Sequence, residues 1–195
     1  MSASARLPLM NVALRKPMTQ DEFFTWAEGQ EGRYEFDGFQ PVAMNGGTNN
    51  HGIISGNIYF QLRLGLAGSP CTPMAPEGGG VATVGNIVRY PEAAVSCSEV
   101  PGRGHLFPNP VIVFEVISDS SEKKDRVTKV DEYHKVPTIK RYIVLEQIKP
   151  VAYVHWRIND EPWNELTLCG EDLLDLPEIG MKIPMAKIYE GIRFT

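Results

Sequence analysis

The sequence has no excess of positive charge. Its 19 Lys and Arg stand against 24 Asp and Glu, a net charge of -5. Nucleic-acid binders usually gain affinity from a Lys/Arg face that neutralises phosphates. Any such patch here must therefore be local and assisted by a bound cation. Cysteine is scarce as well. Cys71, Cys97 and Cys169 are widely spaced, with no CxxC pair and no Cys/His cluster, which argues against structural zinc. The odd count, with no apolar h-region in residues 1–16, leads us to expect free buried thiols in a reducing cytoplasm. No stretch reaches the roughly 18 apolar residues of a membrane span. There is no GxSxG and no GxxxxGK[ST], and the triple glycine 78–80 is not followed by the helix that a phosphate-cradling loop needs. No two of the four histidines have metal-ligand spacing.

What is present fits one globular domain. At 195 residues with 43% hydrophobic content, a single buried core is feasible. Residues 1–17 are expected to form a flexible leader, and 18–195 a single domain without linker or repeat. Thr19-Gln20-Asp21-Glu22 reads as a capping box opening a short helix, with Gly29 behind it. Asp37-Gly38 between the short segments 33–36 and 40–44 is a hairpin signal. A glycine pair and Thr48-Asn49-Asn50 open a second helix, on which Ile54, Ile58, Phe60, Leu62 and Leu66 recur at roughly helical spacing. Short strands are expected at 81–84, 87–90 and 93–97, with Gly85-Asn86 as a turn. Residues 111–117 (VIVFEVI) form the most apolar run of the chain and read as a central strand buried on both faces. A half-exposed helix is predicted over 123–135, then strands at 141–146, 151–157 and 163–169, and a short helix within 184–191. Helices flanking a mixed sheet give an α/β or α+β class.

Glu115 is the most informative residue. A charge inside a buried apolar strand must be paired or must ligate a metal, and both readings stay open for it alone. Glu92, just after Pro91, precedes another short apolar run. Two carboxylates about 5 Å apart repel by roughly 3 kcal/mol at an effective dielectric near 20, a cost that Mg²⁺ between them removes. Mg²⁺ keeps several waters, so two or three carboxylates suffice. Taken singly, Glu92 reads as a loop carboxylate, Glu35 as a surface residue paired with Arg33 or a lysine, and Lys129 as one amine of a solvated helix face. His51 reads as a cap or surface histidine. Trp156 and Trp163 read as core.

The order of motifs is specific. Arg33-Tyr34-Glu35 with Asp37-Gly38 is followed by Asn50-His51 and Arg89-Tyr90-Pro91-Glu92. Phe114-Glu115-Val116-Ile117-Ser118 comes next, then Asp125-Arg126 with Lys129 and Tyr133. With the strand around Lys140-Arg141-Tyr142 and the final Ile188-Tyr189-Glu190-Gly191, this succession resembles the Uma2 (DUF820) family from about Met18 to Thr195. The resemblance implies a restriction-endonuclease-like PD-(D/E)xK core with an N-terminal helix and β-hairpin. It implies catalytic positions at Glu35, Glu92, Glu115 and Lys129. Glu35, Glu92 and Glu115 stand where the family's carboxylates do, and Lys129 stands where its lysine has migrated from the place taken here by Ile117. The chain departs from the family in carrying Pro91-Glu92 where a Pro-Asp pair is usual, a side chain longer by roughly 1.5 Å.

The activity so implied is Mg²⁺- or Mn²⁺-dependent hydrolysis of DNA phosphodiesters. Glu92 and Glu115 would hold the metal, Glu35 would complete its shell or hold one of its waters, and Lys129 would orient water or stabilise the transition state. The alternative is a nuclease fold without catalysis, acting as a nucleic-acid or protein binding module. A hydrolase of a smaller phosphoester is a third possibility. Cores of this kind often work as dimers, and strand 151–154 is a candidate edge for a homodimer.

Overall fold

The computed structural model describes residues 16–44, 46–117 and 127–194. The expected leader lies almost wholly outside the described residues, as do the turn at 118–121, Asp125-Arg126 and the first residues of the helix predicted from 123.

The chain opens with helix α1 (Gln20–Ala27). The Thr19 side chain accepts from the Glu22 amide at 3.2 Å, and Glu22 accepts from the Thr19 amide at 2.8 Å, so the capping box closes as the sequence predicts. Strands β1 (Tyr34–Phe36) and β2 (Pro41–Ala43) form the hairpin. Asp37 Oδ1 accepts from the amides of Phe39 and Gln40 at 2.8 and 2.7 Å, and Gly38 takes a φ of +89°, open to glycine at little cost. Helix α2 (Asn49–Gly65) buries Ile54, Ile58 and Leu62. Phe60, expected on the same face, is 61% exposed.

Strands β3 (Thr72–Met74), β4 (Val81–Ala82), β5 (Val88–Arg89) and β6 (Ala93–Ser96) follow. Next come β7 (Pro110–Ile117), helix α3 (Lys129–His134), β8 (Arg141–Glu146), β9 (Val151–Trp156) and β10 (Asn164–Cys169). The chain closes with β11 (Leu173–Leu176), β12 (Met181–Pro184) and the short helix α4 (Met185–Ile188). A six-stranded mixed sheet runs β10-β9-β8-β7-β6-β3, and a four-stranded antiparallel sheet runs β2-β1-β5-β4. The strand read as central is central: β7 pairs parallel with β8 and antiparallel with β6.

Alternation along β7 divides the molecule. Ile112, Phe114 and Val116 face one core with α2, α4, β11 and β12, while Val113 and Ile117 face a second core with Tyr133, Ile139 and Tyr142. Glu115 is in phase with the second set. A third cluster, Phe23, Phe36 and Val88, glues α1 to the small sheet. The ring of Phe23 stacks on that of Phe36 with centroids 5.0 Å apart.

Three expectations need correction. Cys71 and Cys97 form a disulfide, and only Cys169 is free. The register Thr72↔Ser96 places these two cysteines opposite each other across β3 and β6, a pairing that their separation of 26 residues does not betray. The expectation of free buried thiols therefore fails, and with it the compartment reasoning built on them. Strand β9 lies between β8 and β10, so 151–154 is not a sheet edge. Strands β3, β11 and β12 are short, and the sequence signals did not reveal them. Among the described residues no helix is long and apolar enough to cross a membrane.

A Cβ at Gly38 would lie 2.5 Å from the Gly85 carbonyl oxygen. With its positive φ, Gly38→Ala should destabilise by about 1–3 kcal/mol. Gly102→Ala, where the added atom meets nothing within 4 Å, should be nearly silent. Denaturant unfolding of both variants checks this, and equal midpoints would contradict the turn geometry.

Candidate active site

Four elements from two sheets and one helix meet at Glu115. The residue is 2% exposed, and its Oε1 accepts from the Lys129 amine at 2.8 Å and from the Tyr133 hydroxyl at 3.0 Å. Lys129 and Tyr133 are one helical turn apart on α3, so one face of the helix delivers both donors. Burial pushes the Tyr133 phenol well above its usual range, and the neighbouring Glu115 charge pushes it further. Tyr133 therefore stays a donor at any ordinary pH.

Glu92 sits just ahead of β6. The register Ala93↔Phe114, continued by one residue, sets Glu92 opposite Glu115. Its Oε2 accepts from the Val116 amide at 3.0 Å, and its Oε1 lies 3.1 Å from His51 Nε2. Burial pushes the Glu92 carboxyl up, but the hydrogen bond from His51, the Lys129 and His51 charges and a hydrogen bond with Glu115 outweigh it, so the net shift is downward. The His51 and Glu92 side chains are 20% and 12% exposed, the most open members of the group.

His51 is held from several sides. Its helix starts at Thr48, whose side chain accepts from the His51 amide at 3.2 Å. The Thr48 hydroxyl donates to Gln147, and Asn50 donates to the Gln147 carbonyl at 3.2 Å, which ties the start of α2 to the end of β8. A Cβ on Gly47 would fall 2.6 Å from His51 Nδ1, so the glycine leaves room for the imidazole.

Glu35 enters from the small sheet. Its Oε1 lies 3.2 Å from the Lys129 amine and its Oε2 accepts from Arg89 at 3.0 Å. Arg89 also clasps Glu132 with two bonds of 2.7 Å each. Burial works against the Arg89 charge, yet the contacts with Glu132 and Glu35 raise its pKa further above the usual arginine value.

The structure thus brings together all four sequence-predicted residues: Glu35, Glu92, Glu115 and Lys129. Lys129 is no solvated helix amine, being 6% exposed. Three further members carried no role in the sequence reading. His51 reads from the sequence as a cap or surface histidine, Arg89 enters only as part of the Arg89-Tyr90-Pro91-Glu92 motif with no role of its own, and Glu132 is not singled out. The spacing held a signal for Glu132, because it lies three residues after Lys129 and must share its face. As for a metal, no group of three His, Cys, Asp or Glu side chains among the described residues forms a ready cage. Glu92 and Glu115 remain two adjacent carboxylates, Glu92 with its side chain 12% exposed and Glu115 almost fully buried. That oxygen-donor pair suits Mg²⁺ or Mn²⁺, which fill the remaining positions with water.

Because the Glu92 carboxyl is lowered in the folded protein, its stabilising contribution should be complete above its unfolded value and vanish as pH falls through the folded one. Carboxyl-carbon NMR should find Glu92 titrating below 4.5, and His51→Ala should move that midpoint upward. A midpoint unmoved by His51→Ala would remove the imidazole as its cause.

Three comparisons bear on the chain as a whole. The family model Uma2, described as "Putative restriction endonuclease", matches residues 20–185. The uncharacterized protein slr1290 of Synechocystis sp. is 27% identical over 180 residues, covering 91% of this chain and 94% of that protein. A crystal structure of a "putative nuclease belonging to DUF820" from Anabaena variabilis superposes with a TM-score of 0.65 at 11% identity, over 89% of this chain and 98% of the other. That likeness establishes the mixed α+β fold for this chain. With the family model spanning most of its length, this chain belongs to the Uma2 family.

Proposed function

We propose that this chain is a divalent-cation-dependent endonuclease that hydrolyses DNA phosphodiesters at the Glu92–Glu115–Lys129 centre. The observation that carries this reading is the convergence, from two adjacent strands and a helix, of two carboxylates and one amine. Lys129 lies 2.8 Å from Glu115, and Glu92 sits beside Glu115 and is acted on by both Glu115 and Lys129. The family's description as restriction endonucleases supports the same class of chemistry.

Glu92 and Glu115 would hold Mg²⁺ or Mn²⁺. Once bound, such an ion lowers the pKa of a water and neutralises charge on a phosphate. The chain's own contribution is position. The Val116 amide and His51 fix the Glu92 carboxylate, and Tyr133 fixes that of Glu115. Lys129 supplies a compact positive charge beside Glu115, where the phosphorane-like transition state gathers negative charge. The ångström-scale placement that such chemistry demands is supported by anchoring Glu115 on a strand, Lys129 on a helix, and Glu92 immediately ahead of a strand with its carboxylate bonded to the Val116 amide.

A second reading has an observation of its own. Each carboxylate of the centre already accepts from a neighbour inside the protein, and the net charge is -5. The first feature favours a nuclease fold without catalysis that serves as a nucleic-acid or protein binding module, and the acidic charge favours the protein partner of the two.

Incubation of supercoiled plasmid with purified protein and Mn²⁺ or Mg²⁺ separates the two. The nuclease reading expects nicked or linear product, with Glu115→Gln and Lys129→Met each lowering the rate about 10²–10³-fold. Intact plasmid with both metals over a range of pH, from protein that remains folded, would leave the binding module.

A further inference from the structure

Glu35 occupies a position where the family pattern suggests a metal ligand, yet its surroundings are those of a lysine anchor. One of its oxygens faces Lys129 at 3.2 Å and the other accepts from Arg89 at 3.0 Å. A dication in contact with Glu35 would stand next to two buried positive charges, Lys129 and Arg89.

The arrangement has a regular logic. The register Phe36↔Val88, continued by one residue, makes Glu35 and Arg89 direct neighbours across β1 and β5. On α3, Lys129 and Glu132 lie one turn apart and both are 6% exposed. The helix therefore presents plus then minus, and the sheet answers with minus then plus. Lys129 meets Glu35, and Glu132 meets Arg89 through two bonds of 2.7 Å. The doubled, planar contact of a guanidinium with a carboxylate fixes orientation as well as distance. It pins a helix of only six residues, too short to be rigid by itself, against the small sheet.

We infer that Glu35, Arg89 and Glu132 form a positioning clamp, and that Glu35 orients the Lys129 amine against Glu115 instead of ligating metal. What the positioned amine then does rests on the nuclease reading above; the clamp itself is a statement about where Lys129 is held. Lysine carries four rotatable bonds, and an amine locked before substrate arrives loses no further freedom in the transition state.

The test uses the full-length protein and three readouts: acetylation of Lys129 by an N-hydroxysuccinimide ester followed by mass spectrometry, Mn²⁺ affinity by calorimetry, and steady-state cleavage. Glu35→Gln and Glu132→Gln should raise Lys129 acetylation and lower kcat about 10–100-fold, the range usual for residues that orient a reacting group, with KM for DNA unchanged. Both should weaken Mn²⁺ binding less than Glu115→Gln does. Arg89→Lys should behave as they do, because an ammonium cannot make the doubled contact. Should Arg89→Lys fail to fold, Arg89→Met with Glu132→Leu removes both buried charges together and should likewise expose Lys129 to the reagent. The clamp is overturned if Glu35→Gln weakens Mn²⁺ as much as Glu115→Gln, or if Lys129 stays equally protected in the Glu132 and Arg89 variants. A wild-type protein that binds no Mn²⁺ and cuts no DNA would sink the nuclease reading, while the acetylation data would still decide the clamp.

Discussion

Glu115 lies in the middle of the longest and most apolar strand, and the Lys129 amine 2.8 Å away is what makes that burial tolerable. A lone carboxylate there would face a desolvation cost of several kcal/mol, and removing one partner of such a pair typically costs roughly 3–5 kcal/mol. Buried ion pairs replaced whole by well-packed apolar residues often leave a protein no less stable. The pair is therefore weak evidence about how the fold is stabilised and much stronger evidence about what this part of the molecule is for. Charges kept inside a protein against that cost cluster at functional sites.

Everything around the pair can be understood as holding it. The strand supplies Glu115 from a sheet covered on both faces, so its Cα has little freedom. The helix that supplies Lys129 also supplies Tyr133, whose hydroxyl remains a donor because burial and the neighbouring charge raise its pKa. The small sheet already reaches the second core through Val81 and packs α1 through Phe23 and Phe36. Through Glu35 and Arg89 it becomes the outer wall of the site. The four-stranded and six-stranded sheets share no strand, and the ionic cluster is one place where they communicate.

Much of this was legible in the sequence, and the reasons are physical. A β-branched run such as VIVFEVI reads as a strand buried on both faces, and a charge inside it calls for a partner. The capping box and the Asp-Gly turn are local chemistry, complete within four residues, so they could be read without the fold. The partners of Glu115 were harder, because a helix amine or a histidine near a helix start has many duties and nothing local distinguishes them. His51 is the plainest case: only the packing of α2 against the large sheet brings it within reach of Glu92. Arg89 and Glu132 were hidden for a related reason, since each is an ordinary charged residue until the other is known to face it. The disulfide was invisible because the register of a three-residue edge strand decides it. Strand β9 was mistaken for an edge because strand signals do not encode neighbour order.

The glutamate at position 92 looks at first like a weakening of the centre, being one methylene longer than the aspartate the family pattern carries there. Length is harmful when it adds a rotamer that nothing restrains. Here one oxygen accepts from the Val116 amide on the neighbouring strand at 3.0 Å and the other lies 3.1 Å from His51. The longer side chain thus spans from its own strand to the backbone of β7, and its two ends of contact come from different elements. A carboxylate tethered in this way has exchanged the freedom of its extra torsion for a fixed position next to Glu115. The substitution therefore relocates the carboxylate without loosening it, and whether the centre works depends on where the two carboxylates stand relative to each other and to Lys129, not on the length of either side chain.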